Sequence, residues 1–308
     1  MTELAVSTFL ASLPKDETVF YRANPGNAGD ALIASGAFQL FDQAGLNVEL
    51  IDIDNFDAHN KTVIYAGGGN LVGIYPEARD FFLKHHKQAK QLILLPHTVQ
   101  KNEDLLAQVG SNVTLFAREY VSYAHLKSQA KNASVYLDHD LAFNLNPTEI
   151  LDQPLICLPV AFIKKLTYKA LSSEKSFTIP QLNIMLRNSL FELRTVTLQN
   201  AEAGNFFRDD VEASGTELPA GNSDLSKLYE YGTRNRELTT YTTNRLIKYI
   251  NKFASVRTDR LHICIAAALL NKKVDFYPNS YFKCKAVYEY SLKNRFPNIT
   301  WRSTEKQG

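Results

Sequence analysis

Through the first 145 residues, short apolar runs rich in β-branched side chains alternate with helix-length amphipathic stretches, and this alternation constrains the fold more than any other feature. The segments TVFYRANPG (18–26), NVELIDID (47–54), KTVIYAGGG (61–69), QLILLPHT (91–98), NVTLFARE (112–119) and ASVYLDHD (133–140) have the pattern of strands. Residues 30–44, 77–90, 102–109 and 119–129 have the pattern of helices between them. Strand, helix, strand at this spacing makes right-handed crossovers and a mostly parallel sheet, so residues 1–145 are read as an N-terminal Rossmann-like domain. Residues 146–181 break the rhythm with prolines and mixed apolar and lysine-bearing stretches, and are read as a linker or insert. In 182–308 the pattern resumes. QLNIMLRN (181–188) is read as the restarting strand, followed by a loop-rich tract at 195–226 and a helix around 238–252. A strand at 253–258, an alanine-rich helix, the strand KVDFYP (273–278) and a helix from about Lys283 then complete a second, smaller α/β domain.

Composition removes several classes of function. A net charge of +2 and the absence of a Lys/Arg-rich run argue against a nucleic-acid surface. Cys157, Cys264 and Cys284 are far apart and odd in number, which indicates neither a disulfide framework nor a zinc site and fits a reducing, cytoplasmic setting. The first apolar run carries Glu3 where a signal peptide needs basic residues, and no stretch approaches the roughly 20 apolar residues of a membrane span. No metal or redox cofactor is expected.

In an open parallel sheet ligands bind at the carboxyl ends of strands, and four polar clusters fall there. NPGNAGD places Asn24, Asn27 and Asp30 between the first strand and the first helix, without the glycine spacing of a dinucleotide fingerprint or the lysine of a phosphate loop. AGGGN supplies Gly68, Gly69 and Asn70, LPHT supplies His97, and FARE supplies Arg118. Each also has a plain structural alternative: glycines for tight reversal, a hydrogen-bonded loop histidine, or a local pairing of Arg118 with Glu119. The second domain adds SVRTDRLHICIAAALL (255–270). Arg260 and His262 are two residues apart, so they can meet one ligand only if the motif straddles the strand-to-helix turn. Thr258 or Asp259 would cap that helix, leaving Arg260 where the helix dipole and a guanidinium together favour an anion; alternatively Asp259 only pairs with Arg257 or Arg260. Arg187, read as ending the strand NIMLR, would add a second arginine at a strand end, and two such arginines with a histidine suit a small, multiply charged anion.

GNAGDALI, YAGGGNL, LPHT, FAREYVSY, LDHDLAF, IMLRN and RTDRLHICIAAALLNKKVDFYPNSYFK occur in the order and spacing of the polysaccharide pyruvyl transferase family, which the chain resembles from about residue 20 to about 290. The resemblance implies two Rossmann-like domains facing across a cleft, similar to the glycosyltransferase-B fold. It also implies transfer of pyruvate from phosphoenolpyruvate to two hydroxyls of a sugar as a cyclic ketal. By the family pattern Arg260, His262 and Arg187 belong to the phosphoenolpyruvate site on the C-terminal domain, with Lys283 adding charge. His262 is the expected general acid, and Asp30 or His97, on the N-terminal acceptor side, the candidate bases. The family commonly carries an acidic residue within two positions of the first strand-end arginine, whereas Arg187 is followed by Asn188 and Ser189, with Glu192 further on. The implied partner is a sugar acceptor, an oligosaccharide or lipid-linked repeat of a capsule or exopolysaccharide precursor, met at the inner face of the membrane. Residues 158–171, with Lys164, Lys165 and Lys169, are either a peripheral membrane contact or an amphipathic helix packed on the protein. The competing readings are a glycosyltransferase or epimerase using a nucleotide sugar, and a non-catalytic carbohydrate-binding protein.

Overall fold

The computed structural model describes residues 4–51, 56–171, 178–195, 198, 201–215, 217–233 and 235–303. The chain divides into two compact units: one of residues 1–24, 36–145 and 286–291, the other of residues 25–35, 146–285 and 292–308. The second unit therefore includes residues 25–30 of the NPGNAGD turn and the start of the first long helix, which the alternation of strands and helices assigns to the N-terminal half.

The first unit is a seven-stranded sheet in which every pairing is parallel. Its strands are β1 (Thr18–Arg22), β2 (Asn47–Leu50), β3 (Thr62–Tyr65), β4 (Gly68–Leu71), β5 (Gln91–Val99), β6 (Val113–Ala117) and β7 (Ser134–Leu137). Their order is β2-β1-β3-β5-β6-β7, with β4 also on β5. Residues 52–54 of the predicted second strand lie outside the described residues. β3, β5 and β6 are almost wholly buried, as expected of parallel strands covered on both faces. Two polar clusters expected at strand ends lie within strands. Gly68–Leu71 pairs with the end of β5, with Gly68 at a φ of 139° that a side chain would resist. Pro96 and His97 lie within β5, and the β5–β6 register shifts between Leu94 and His97, where proline has no N–H to give the ladder.

The second unit contains a four-stranded parallel sheet of β8 (Ala201–Asn205), β9 (Phe253–Thr258), β10 (Lys273–Phe276) and β11 (Ile299–Trp301), in the order β11-β10-β9-β8. Its central helix, Leu261–Leu269, is apolar all round because it packs against β9, β10 and the helix Arg236–Ile250. The segment predicted as a linker holds the helices Pro147–Asp152 and Leu158–Leu171. In the latter, Ala161 is buried with Tyr231, Leu238 and Tyr241. Lys164 pairs with Glu237, and Lys165 is buried with Nζ 5.5 Å from the centroid of the Tyr231 ring. Both lysines thus serve the protein interior and its surface pairing; the side chain of Lys169 lies outside those described.

The predicted strand 181–188 is instead part of the helix Ile179–Thr195. Met185, Asn188 and Glu192 recur at helical spacing and are buried. Glu192 accepts hydrogen bonds from the hydroxyls of Tyr231 (2.8 Å) and Tyr241 (2.6 Å), fixing the helix to its unit. The strand that opens the second sheet is β8, from the tract read as loop.

Gly36 lies against main chain in the first unit: a Cβ there would stand 2.1 Å from the Leu141 carbonyl oxygen. Gly36→Ala is expected to cost about 1–3 kcal/mol, because main chain rather than a mobile side chain must yield. An unchanged midpoint in chemical denaturation would contradict this close approach.

Candidate active site

β8 and β9 pair with Asn205 opposite Arg257, so the chain three residues beyond each brings Arg208 level with Arg260 at the carboxyl edge of the second sheet. Backbone and short side chains stitch the two exits together. Phe206 N–H donates to the Arg257 carbonyl (2.8 Å), Thr258 Oγ1 donates to the Phe206 carbonyl (2.6 Å), and Arg208 N–H donates to Asp259 Oδ1 (2.8 Å). Thr258 Oγ1 also accepts from Arg260 N–H (2.9 Å). Arg260 itself is the residue that precedes the helix, in extended conformation, so the motif does straddle the strand-to-helix turn.

Two guanidiniums this close need counter-charge, and carboxylates supply it. Arg208 donates from Nε (2.7 Å) and Nη2 (3.1 Å) to the two oxygens of Asp210, and from Nη1 to Glu212 (2.7 Å). Arg260 donates from Nε to Asp224 (3.0 Å), pairs with the same carboxylate through Nη2, and places that Nη2 2.8 Å from Asp210 Oδ2. Lys283 reaches Glu212 at 2.5 Å. Burial alone would raise Asp210, but the Arg208 hydrogen bonds and the Arg260 charge outweigh it and hold the carboxyl well below the usual range. For Asp224 burial wins over Arg260 and the shift is upward. Asp259, buried and hydrogen-bonded mainly through one backbone N–H, is pushed up to about 6 by desolvation.

His262 lies one residue into the helix, beside the NPGNAGD turn. A Cβ on Gly29 would stand 2.6 Å from its Nδ1, so only glycine allows the ring to approach. Asn27 Oδ1 accepts from Gly29 N–H (2.8 Å), and Asp30 Oδ2 accepts from Asn27 N–H (3.0 Å). Within the second unit, Arg260 and Lys283 thus join Arg208 through its carboxylates, and His262 lies beside the turn that carries Asn27 and Asp30. It does not bring Arg187, whose side chain is exposed on the helix Ile179–Thr195. Arg208 has the features expected of the first strand-end arginine: it follows a strand, and Asp209 and Asp210 come directly after it. The run NFFRDD carried that signal, masked by the weak strand character of AEAGN before it.

The first unit gathers a different set. Asn70 Nδ2 donates to Asn24 Oδ1 (3.2 Å) and Tyr65 Oη (3.0 Å), and Asn24 Nδ2 donates to the Gly67 carbonyl (2.8 Å). Gly68 and Gly69 lie in β4 beside them. His97 Nε2 accepts from Asn70 N–H (3.0 Å), leaving Nδ1 to donate to the Ala66 carbonyl (3.2 Å). Full burial, with the Arg118 charge, pushes His97 down to about 3. A neutral imidazole with both nitrogens engaged is a brace for the glycine strand and has no free lone pair to act as a base. Arg118 is 1% exposed and donates to Asp140 (2.6 Å) and Thr98 (2.8 Å), while Glu119 caps the following helix through Val121 and Ser122 N–H. Arg118 is therefore enclosed by protein and cannot reach a substrate. Among the described residues no group of three His, Cys, Asp or Glu is placed to hold a metal.

Asp259 yields a pH prediction. Its folded value lies above the ordinary carboxylate range, so its contribution to stability is full below about pH 4 and is lost as pH rises through 6. Asp259→Asn keeps an acceptor for Arg208 N–H and removes that loss. The variant should gain about 2–3 kcal/mol on the wild type between pH 4 and 7 in parallel urea titrations. A pH-independent difference would refute the raised value.

The profile of the family described as polysaccharide pyruvyl transferase matches residues 27–280. EpsO of Bacillus subtilis (strain 168), named as a proposed pyruvyl transferase, is 25% identical over 311 residues, covering 90% of this chain and 86% of that protein. The crystal structure of a functionally uncharacterised protein from Klebsiella pneumoniae subsp. pneumoniae NTUH-K2044 is 28% identical, covers 96% of each chain and superposes with a TM-score of 0.73.

Proposed function

This chain belongs to the polysaccharide pyruvyl transferase family, and from that premise we propose that it transfers the pyruvyl group of phosphoenolpyruvate to two hydroxyls of a sugar in a polysaccharide precursor. The observation that carries the proposal is the convergence of Arg208 and Arg260 on a single carboxylate, Asp210, with Lys283 on the adjoining Glu212. Two guanidinium forks and an ammonium match a donor that bears both a carboxylate and a phosphate.

His262, at the first turn of the helix that Arg260 precedes, is placed to be the general acid. Protonating the methylene carbon of phosphoenolpyruvate makes its central carbon electrophilic; one sugar hydroxyl adds there, phosphate leaves, and the neighbouring hydroxyl closes the ketal. Two hydroxyl protons are released as one is taken up by the methylene and the other leaves with phosphate or the base. Asp30, held beside Asn27 and one residue from Gly29, is the candidate base, since His97 has no free nitrogen. Asn24, Asn70, Gly68 and Gly69 form the polar edge of the first unit and are the candidate acceptor contacts. The facing, glycosyltransferase-B-like arrangement of the units, a capsule or exopolysaccharide precursor as acceptor, and work at the inner membrane face belong to the same proposal. No helix among the described residues is long and apolar enough to cross a membrane.

Thermal unfolding with phosphoenolpyruvate, phosphate and uridine nucleotides tests the donor without knowledge of the acceptor. Phosphoenolpyruvate at 100 times its Kd should stabilise the protein by about 2.7 kcal/mol, and Arg260→Ala should abolish the effect. Stabilisation by a uridine nucleotide instead would transfer the site to a nucleotide-sugar enzyme, with carboxylates such as Asp224 serving the ribose. With a pyruvate-accepting glycan, His262→Gln should retain donor binding within a few-fold and slow phosphate release by about 10²–10⁴-fold.

A further inference from the structure

The carboxylates around Arg208 and Arg260 are not equivalent. Glu212, 5% exposed, accepts from Arg208 and Lys283; Asp224, 5% exposed, takes Nε and Nη2 of Arg260. Each arginine therefore has one buried carboxylate of its own, which fixes where its guanidinium lies. The third carboxylate is shared. Asp210 is held through both oxygens by Arg208 and through Oδ2 by Arg260, yet it is 23% exposed and so open to solvent. The remaining described hydrogen bond to its carboxylate is the local one from Glu212 N–H to Oδ1 (3.1 Å), within a turn that belongs to neither helix nor strand.

We propose that Asp210 is a built-in placeholder for the donor's anionic group: it fills the fork between Arg208 and Arg260 and turns outward when the carboxylate or phosphate of phosphoenolpyruvate enters. The proposal rests on the donor reading above and adds a regulating residue to it. Glu212 and Asp224 hold the two guanidiniums in the geometry the ligand needs, and Asp210 only neutralises the fork between them until the ligand's charge replaces its own. The consequence is a competition. The observed affinity for the anion is the intrinsic affinity reduced by the fraction of molecules in which Asp210 has vacated the fork. Asp224 and Glu212 stay in place throughout, because they orient the arginines for the incoming ligand as they do for Asp210.

Isothermal titration of the full chain with phosphoenolpyruvate and with inorganic phosphate separates this role from a structural one. Removing a carboxylate that merely supports the arginines weakens binding. Removing a placeholder tightens it, and Asp210→Asn and Asp210→Ser should each bind both anions about tenfold more tightly than wild type. Asp209→Asn is the control for net charge: Asp209 is half exposed and paired with Lys227, so its removal should change affinity by less than about twofold. Unchanged or weaker binding by the Asp210 variants, or equal tightening by Asp209→Asn, overturns the proposal while leaving the donor reading intact. If neither anion binds wild type or any variant, the donor reading falls and the placeholder with it. Should the Asp210 variants fail to fold, a crystal structure of the wild type with phosphoenolpyruvate decides: donor oxygens between the arginines with Asp210 turned away support the proposal, and Asp210 still bridging Arg208 and Arg260 refutes it.

Discussion

The candidate site depends on the register of one parallel strand pair. With Asn205 opposite Arg257, the chain leaves β8 and β9 in step, and the third residue beyond each is an arginine. Parallel pairing sends both exits to the same edge of the sheet, so the two positive charges are neighbours by topology. A one-residue slip would place Arg208 beside Asp259 or Leu261 and would turn the side chains of β8 to the opposite face. Gly204 helps fix the register, since a Cβ there would stand 2.3 Å from the Phe206 ring, which packs edge-on against Phe253.

From that adjacency the surrounding chemistry follows. Like charges at a partly buried edge must be neutralised, and Asp210, Glu212 and Asp224 come from loops that need no regular structure to reach them. The first unit resolves a similar problem differently. At the end of β6, Arg118 meets Asp140 in a pair sealed from solvent, with Thr98 taking a further donor, and His97 beside it is driven neutral. Removing either member of that pair would strand a buried charge, whereas the second unit's cluster keeps one carboxylate within reach of water. A sealed pair can only hold structure; a partly open cluster can exchange a partner for a ligand.

Much of this was legible in the chain. The β-branched runs marked the strands of the first sheet, and the polar turn in front of the alanine-rich helix marked the exit of β9. The errors have identifiable physical sources. IMLRN reads as a strand over five residues and as an amphipathic helix over seventeen, because only the longer window shows Met185, Asn188 and Glu192 on one buried face. AEAGN has almost no intrinsic strand preference and is a strand because β9 offers its edge to pair with. That exchange moved the first arginine of the candidate site from Arg187 to Arg208. His97 and Arg118 sit near the carboxyl ends of strands, as ligand-binding residues do, and sequence spacing cannot show that their side chains point inward.

The most direct test is a double-mutant cycle on phosphoenolpyruvate binding with Arg208→Lys, Arg260→Lys and the double variant, which keep the charge and remove the forked donors. Two arginines that grip one anion predict that each single change weakens binding by at least about tenfold and that the double variant loses clearly less than the sum of the two. Losses that add to within about 0.5 kcal/mol, or no loss at one of the two positions, would contradict a shared site built on the β8–β9 register.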